Sequence, residues 1–353
     1  MTLRVLQVAY PFAPVRPDAV GGAEQILYEL DRGLVETGHR STVVACEGSE
    51  VCGALELDGP QEEALDALRC VSRRAGLRQR LEVILREQRF DLVHFHGVDF
   101  YEYLPTAALP MLATLHLPPS FYPIDVFQGG ERAVLLNCVS VSQHRSCPES
   151  ERLVAPILNG IRTSNFSPSY DKADYLLVLG RICPEKGYHL ALEVAHRLDV
   201  PLVLAGKVYP YPEHVRYFEE AIRPRLDDKR RFYGPVGPLE RAALLSSARC
   251  LLVPSLVEET CSLVALEAMA SATPVIAFRR GALPEVVSDG LTGYVVEDVE
   301  AMAAAVGKLD ALDGRACRRI AVERFSVERM VSAYLRLYES IRRWERAPAW
   351  VAT

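Results

Sequence analysis

No run of apolar residues in this 353-residue chain approaches the ~18 needed to cross a bilayer, which excludes an obvious membrane-spanning helix. Paired cysteines are missing too. The nine cysteines (Cys46, Cys52, Cys70, Cys138, Cys147, Cys183, Cys250, Cys261 and Cys317) are odd in number, scattered, and contain no Cys-x-x-Cys unit. That pattern argues against a disulfide framework or a structural zinc site and fits a reducing cytosol. Positive charge is not in excess. The net charge of -6 and pI near 5.8 disfavour a nucleic-acid partner, which normally calls for a net basic surface. The apolar stretch from Leu3 to Ala9 is too short, and too poorly followed by small residues, to read as a signal peptide. What remains is an ordinary soluble composition, 49% apolar and 24% charged, at a length that suits two domains with cores of their own.

The first half alternates strand-like and helix-like segments. Leu3–Tyr10, Ser41–Cys46, Asp91–His96, Met111–His116 and Val139–Ser142 read as strands. Ala23–Glu36 carries helical periodicity through Ile26, Leu27, Leu30 and Leu34 and is stopped by Gly38; Leu65–Gln88 reads as a second helix. Val154–Tyr170 has no periodicity but contains Pro156, Asn159, Gly160 and Pro168, as a connection between domains would. The alternation then restarts. Tyr175–Leu179, Leu202–Ala205, Cys250–Pro254 and Pro274–Phe278 are strand-like, while Gly187–Arg197, Leu239–Ser247 and Ser262–Ala272 are helix-like. Val327–Trp344 is a last amphipathic helix with Met330, Ala333, Tyr334, Leu337 and Ile341 along one stripe. The expectation is two doubly wound parallel-sheet domains, 1–158 and 159–353, facing a cleft, with the last helix (about 327–345) packing back toward the first domain. Chemistry should then lie in loops beyond the carboxyl ends of the strands.

Three such loops stand out. The run Glu258-Glu259-Thr260-Cys261-Ser262-Leu263-Val264-Ala265-Leu266-Glu267 follows a strand and opens a helix. The N–H groups of Ser262, Leu263 and Val264 fall in a first turn without intrahelical partners and form an anion site. Glu267, read as more than two turns along, has the acceptors to hold two vicinal hydroxyls such as those of a ribose. Plain helix grammar also explains acids ahead of an N-terminus. Gly180-Arg181-Ile182-Cys183-Pro184-Glu185-Lys186-Gly187 joins another strand to a helix and places two cations where a diphosphate would need them, although a loop with two solvated charges reads the same way. Gly21 and Gly22, in Val20-Gly21-Gly22-Ala23-Glu24, allow close backbone approach to a phosphate or sugar, or simply serve a turn.

In this order, and with Asn159-Gly160-Ile161, Thr273-Pro274-Val275-Ile276-Ala277, Gly281-Ala282-Leu283-Pro284-Glu285 and Asp289-Gly290-Leu291-Thr292-Gly293 downstream, the chain closely resembles the family-4 retaining glycosyltransferases (glycosyl transferases group 1) of the GT-B fold along nearly its whole length. The resemblance implies two Rossmann-like domains and a nucleoside-diphosphate-sugar donor, UDP- or GDP-linked, with no separate cofactor and no metal. It implies that Arg181 and Lys186 hold the diphosphate with help from Ser262, Leu263 and Val264, and that Glu267 binds the ribose. Glu259 would contact the donor sugar, and Gly21 and Gly22 would lie near phosphate and sugar. His116, in Thr114-Leu115-His116-Leu117, would hydrogen-bond the sugar near the reacting carbon, so that His116, Glu259, Arg181 and Lys186 form the catalytic set. Preorganised positive charge at the departing diphosphate is the main catalytic asset of such an arrangement. Two departures from the family stand here: Thr260-Cys261-Ser262 replaces the usual Pro-Phe-Gly, and Ala272 stands where Gly is common.

The acceptor is not legible: a sugar, a lipid-linked glycan and a natural-product aglycone all fit. His96 and Asp99 are candidates for the acceptor side. His94 and His96 share a strand face, which suits packing and acceptor contact equally, and no third metal ligand is near in sequence. Arg69, Arg73, Arg74, Arg78, Arg80, Arg86 and Arg89 are opposed locally only by Glu82 and Glu87. The 69–89 stretch therefore reads either as a solvated face or as peripheral contact with the inner face of a membrane by an otherwise cytoplasmic protein. A nucleotide-sugar 2-epimerase or hydrolase, or a non-catalytic nucleotide-sugar binder on the same fold, are the alternatives.

Overall fold

The structure is a computed structural model that describes residues 2–19, 21–61, 66–129 and 134–345. Two compact units share the chain. The first runs to Asn159 and resumes at Val327; the second is Gly160–Ser326.

In the first unit, short apolar runs, buried on both faces except at the exposed edge strand Ala54–Leu57, assemble one six-stranded parallel sheet. β1 is Arg4–Val8, β2 Arg40–Ala45, β3 Ala54–Leu57, β4 Leu92–Phe95, β5 Met111–Leu115 and β6 Val134–Cys138, in the order β3-β2-β1-β4-β5-β6. Strands buried on both faces need near-continuous hydrophobic sequence, and β1, β4 and β5 supply it. The helix Gly22–Glu36 follows β1 and ends ahead of Gly38, whose φ of 81° takes the left-handed conformation that closes helices cheaply. The helix Ala67–Glu87 is capped by Asp66, which accepts from the Arg69 N–H; Leu65, the first residue of the helix expected from sequence, lies outside the described residues.

The last helix, Val327–Glu345, packs on this first unit. Tyr334 and Tyr338, one turn apart, are fully buried, and their hydroxyls meet Thr114 (3.0 Å) and His94 (2.7 Å) respectively. Gly33 is required opposite it, because a Cβ there would collide with the Val331 side chain.

The second unit repeats the plan. β7 (Leu176–Leu179), β8 (Leu202–Ala205), β9 (Arg230–Gly234), β10 (Cys250–Val253), β11 (Val275–Phe278) and β12 (Gly293–Val296) form a parallel sheet in the order β12-β11-β10-β7-β8-β9. Counted within each unit, both sheets have the 3-2-1-4-5-6 order of doubly wound dinucleotide-binding folds, with the strand order reversing between β1 and β4 and between β7 and β10.

Two expectations are corrected. Val139–Ser142 is not a strand. β6 ends at Cys138, and Ser140 caps the helix Val141–Ser146 by accepting from the Gln143 N–H, a competition that serine side chains win at helix starts. Strands β3, β9 and β12, absent from the sequence reading, are all sheet edges, where half-exposed strands lose the continuous apolar signature.

Candidate functional site

In the second unit the loops after β7 and β10, the two strands flanking the order reversal, are stitched together. The Glu185 carbonyl accepts from the Leu256 N–H (2.8 Å) and the Ser255 hydroxyl (3.4 Å). Gly187, at φ 66°, lies so close to the Pro254 carbonyl that a Cβ would not fit. Across this seam the Lys186 ammonium donates to Glu259 Oε1 at 2.5 Å, and the Ser255 hydroxyl donates to the same oxygen at 2.7 Å. Arg181 sits at the mouth of the loop, half exposed, 3.6 Å from the Glu185 carboxylate. Lys186 and Glu259, read from two separate motifs, therefore meet, with the lysine already engaged by the glutamate, and Arg181 lies on the same loop as Lys186. Ser255, which the sequence reading missed, joins Lys186 on Glu259. Its signal was its position, two residues beyond a buried strand.

The Glu258–Glu259 loop is held from behind. Gly281, at φ 54°, packs on the Glu259 backbone with no room for a Cβ; its N–H donates to Glu258 Oε2 (2.5 Å), and the Ala282 N–H donates to the Glu259 carbonyl (2.7 Å). The downstream Gly-Ala-Leu-Pro-Glu run thus shapes the loop that carries Glu259.

The helix that follows is Leu263–Ala270, with Ser262 as its N-cap in extended conformation. The Ser262 hydroxyl makes no capping bond, so it leaves the first-turn N–H groups of Leu263 and Val264 unspent. Because the helix starts at Leu263, Glu267 lies just over one turn in, not the more than two turns read from sequence. Its carboxylate is buried and 3.5 Å from Arg241; burial raises its pKa, and Arg241 offsets this in part. Ala272, at φ 61°, is one of two non-glycine residues with positive φ among those described, which accounts physically for the glycine common at this position.

In the first unit the carboxyl ends of β4 and β5 carry three histidines. His94 is tied down on both sides, Nδ1 to the Tyr338 hydroxyl and Nε2 to Thr114 Oγ1 (2.8 Å), so it serves the core. His96 Nδ1 and His116 Nε2 share a hydrogen bond at 3.1 Å, with the rings stacked at 25°. His96 Nε2 is buried with no hydrogen-bond partner among the described residues. Gln143 grips the strand end around His116 by donating to the Leu115 and Leu117 carbonyls, both at 2.8 Å. Desolvation holds all three imidazoles neutral, His116 down to about 4 and the other two well below the usual range.

Asp99 does not present a free carboxylate: Arg74 donates to Oδ2 (2.7 Å) and Tyr103 to Oδ1 (3.1 Å). Gly21 is the N-cap of Gly22–Glu36 at an ordinary φ of -74°, and the space over it is taken by the buried Glu24 carboxylate, whose pKa burial raises.

The arginines of 69–89 have partners beyond the Glu82 and Glu87 near them in sequence. Arg73 pairs with Asp58 (3.2 Å), Arg74 with Asp99 and Arg80 with Glu56 (2.6 Å), acids that the fold brings from other elements. Among the described residues no helix is long and apolar enough to cross a membrane. The only group of three or more metal-capable side chains there is Cys183, Glu185 and His214, which sequence spacing did not reveal.

A family model described as Glycosyltransferase Family 4 matches residues 20–156, and one described as Glycosyl transferases group 1 matches residues 173–311. Glycogen synthase of Mycobacterium tuberculosis is 27% identical, over 98% of this chain and 97% of that protein. Phosphatidyl-myo-inositol mannosyltransferase of Mycolicibacterium smegmatis is 26% identical, over 93% and 92%. The crystal structure of Anabaena HepE in complex with UDP-glucose aligns with a TM-score of 0.74 at 16% identity, covering 96% of this chain and all of that one. With two doubly wound sheets, one family model on each, and relatives matched along more than nine-tenths of their length, the chain belongs to the family-4 glycosyltransferases of the GT-B fold.

Proposed function

We propose that the enzyme transfers a hexose from a nucleoside-diphosphate-sugar, UDP- or GDP-linked, to an acceptor hydroxyl with retention of anomeric configuration and without a catalytic metal. The observation that carries this reading is the cluster at the β7/β10 reversal. Two cations, Arg181 and Lys186, lie on the loop after β7; Lys186 is bonded to Glu259 on the loop after β10, which leads into the helix whose first N–H groups, Leu263 and Val264, are uncapped and whose buried carboxylate, Glu267, lies one turn further on. In this reading the diphosphate takes Arg181, Lys186 and the helix N-terminus, and the ribose hydroxyls donate to Glu267.

As the sugar–phosphate bond breaks, negative charge grows on the leaving diphosphate, and fixed cations and N–H donors stabilise it without reorganising. These groups supply what a metal would otherwise supply. Glu259 and His116 are assigned to the donor sugar, and Gly21 and Gly22 to close backbone approach. His116, neutral because it is desolvated, makes its proposed contact without adding a third cation near the developing positive charge of the sugar. The leaving phosphate takes the acceptor proton on the face from which it departs, which gives retention without a protein base. The full-length relatives include a glycogen synthase and a phosphatidyl-myo-inositol mannosyltransferase, so relatedness does not single out an acceptor class.

The test is product analysis of the purified enzyme with UDP- and GDP-sugars, with and without an acceptor panel, in excess EDTA. Transfer that survives EDTA and gives a product with the donor's anomeric configuration is expected. Inverted product, or turnover at saturating donor abolished in EDTA and restored by a divalent ion, would overturn the mechanism. Epimerised sugar nucleotide, or hydrolysis alone with every acceptor, would replace the activity.

A further inference from the structure

At the Arg181–Lys186 loop, three side chains of metal-binding type converge with no role in the reaction above. Cys183 and Glu185 come from the loop after β7, and His214 from the helix Pro212–Tyr217 after β8. One ligand atom from each lies within 4.8 Å of the other two. Cys183 and His214 are buried, while Glu185 reaches partly into solvent and gives an ion a way in. His214 is held edge-on to Tyr211 (centroids 5.1 Å, 87°), and its Nδ1 is buried without a hydrogen-bond partner among the described residues.

We propose that Cys183, Glu185 and His214 form a binding site for zinc that tunes the donor loop. One thiolate, one imidazole and one carboxylate make the ligand set of a borderline-soft cation, not of magnesium or calcium, which want oxygen alone. Zinc bonds of ~2.0–2.3 Å at tetrahedral angles place ligand atoms about 3.3–3.8 Å apart. The cluster therefore needs to contract by no more than about 1–1.5 Å, and the half-exposed Glu185 side chain is free enough to do it. Binding expels the Cys183 thiol proton to solvent, takes the imidazole as neutral, and leaves the fourth position to water. Glu185 is also the carboxylate beside Arg181. Zinc draws it away and adds positive charge at the loop, so Arg181 becomes more available to a diphosphate. This last step rests on the donor-site assignment; the metal site does not.

The experiment is calorimetric titration of zinc chloride into reduced, chelator-stripped full-length protein, with cobalt(II) absorption as a second readout. Wild type should bind one equivalent that is lost in Cys183→Ser and in His214→Gln, with a thiolate-to-cobalt charge-transfer band lost in parallel. Glu185→Gln, at the solvent side and least able to disturb folding, should weaken binding by at least the roughly 10–100-fold typical of lost metal-site support. Equal zinc binding by wild type and all three variants, or cobalt binding without the thiolate band, overturns the site. UDP and GDP are then titrated with and without zinc, and affinity should rise about two- to fivefold with it. Zinc bound at the site with unchanged nucleotide affinity overturns the coupling. No nucleotide binding under either condition overturns the donor reading and leaves the zinc result to judge the site.

Discussion

Lys186 cannot serve a diphosphate and Glu259 equally, and that competition is measurable. The ammonium lies 2.5 Å from Glu259 Oε1, with the lysine side chain 32% exposed and the glutamate 10%. Gross attraction at that distance is several kcal/mol at an effective dielectric near 20, but desolvation and partial exposure reduce the net value to about 1 kcal/mol. A diphosphate must overcome that restraint before it gains Lys186. Glu259→Gln keeps the shape and removes the charge, so affinity for a bare nucleoside diphosphate should rise about fivefold, the equivalent of 1 kcal/mol. Turnover of the sugar nucleotide should fall, because Glu259 is assigned to the sugar. Lys186→Ala should cost roughly ten- to a hundredfold in affinity, the value of one charge-assisted hydrogen bond. In the Lys186→Ala background the gain from Glu259→Gln should shrink to less than about twofold, and the difference between backgrounds is the coupling. Isothermal titration of UDP and GDP into the four proteins reads all of this. If Glu259→Gln weakens both nucleotides, and equally in both backgrounds, the restraint is not what the geometry implies.

Two further outcomes follow from buried titratable groups. Glu267 has its pKa raised by burial, so its ionised form destabilises the ligand-free fold; the cost is absent below the unfolded carboxyl value and develops as pH rises through the folded one. Glu267→Gln should therefore raise the melting temperature at neutral pH, by a margin that shrinks on acidification, while nucleotide affinity drops about tenfold; a lower melting temperature at neutral pH would count against the desolvated carboxylate. The first-unit histidines work in the opposite direction. His116 titrates near 4 when folded and near 6.5 when unfolded, so stability is complete above about 6.5 and falls as pH drops toward 4, by up to ~1.4 kcal/mol per pH unit for each such histidine. Denaturant midpoints between pH 7 and 4.5 test this, and His116→Gln should flatten the slope; an unchanged slope would place the titration elsewhere.

What was legible in the sequence was what is buried on both sides. β1, β4, β5, β7, β8, β10 and β11 announce themselves as continuous apolar runs, whereas Ala54–Leu57, Arg230–Gly234 and Gly293–Val296 do not, because an edge strand answers partly to solvent. The loop motifs proposed to hold the donor were equally visible, since Gly187 and Gly281 are fixed by local backbone geometry that only glycine meets. Pairings across the fold were hidden. Nothing in the spacing of Lys186 and Glu259, of Arg73 and Asp58, or of Cys183 and His214 shows that the sheet brings them together. For the same reason the sequence shows only Glu82 and Glu87 near the arginines of 69–89, not Asp58, Asp99 and Glu56, and does not show that Arg74 and Tyr103 hold the Asp99 carboxylate.

The central claim is that the second unit holds a nucleoside diphosphate on the loop that follows β7. Calorimetric titration of UDP and GDP into wild type and Arg181→Ala tests it most directly, because Arg181 is half exposed and its loss should not disturb the core. Wild type should bind at least one of the two, and Arg181→Ala should weaken that binding by roughly ten- to a hundredfold. Failure of both nucleotides to bind wild type, or an affinity unchanged in the variant, would contradict the account.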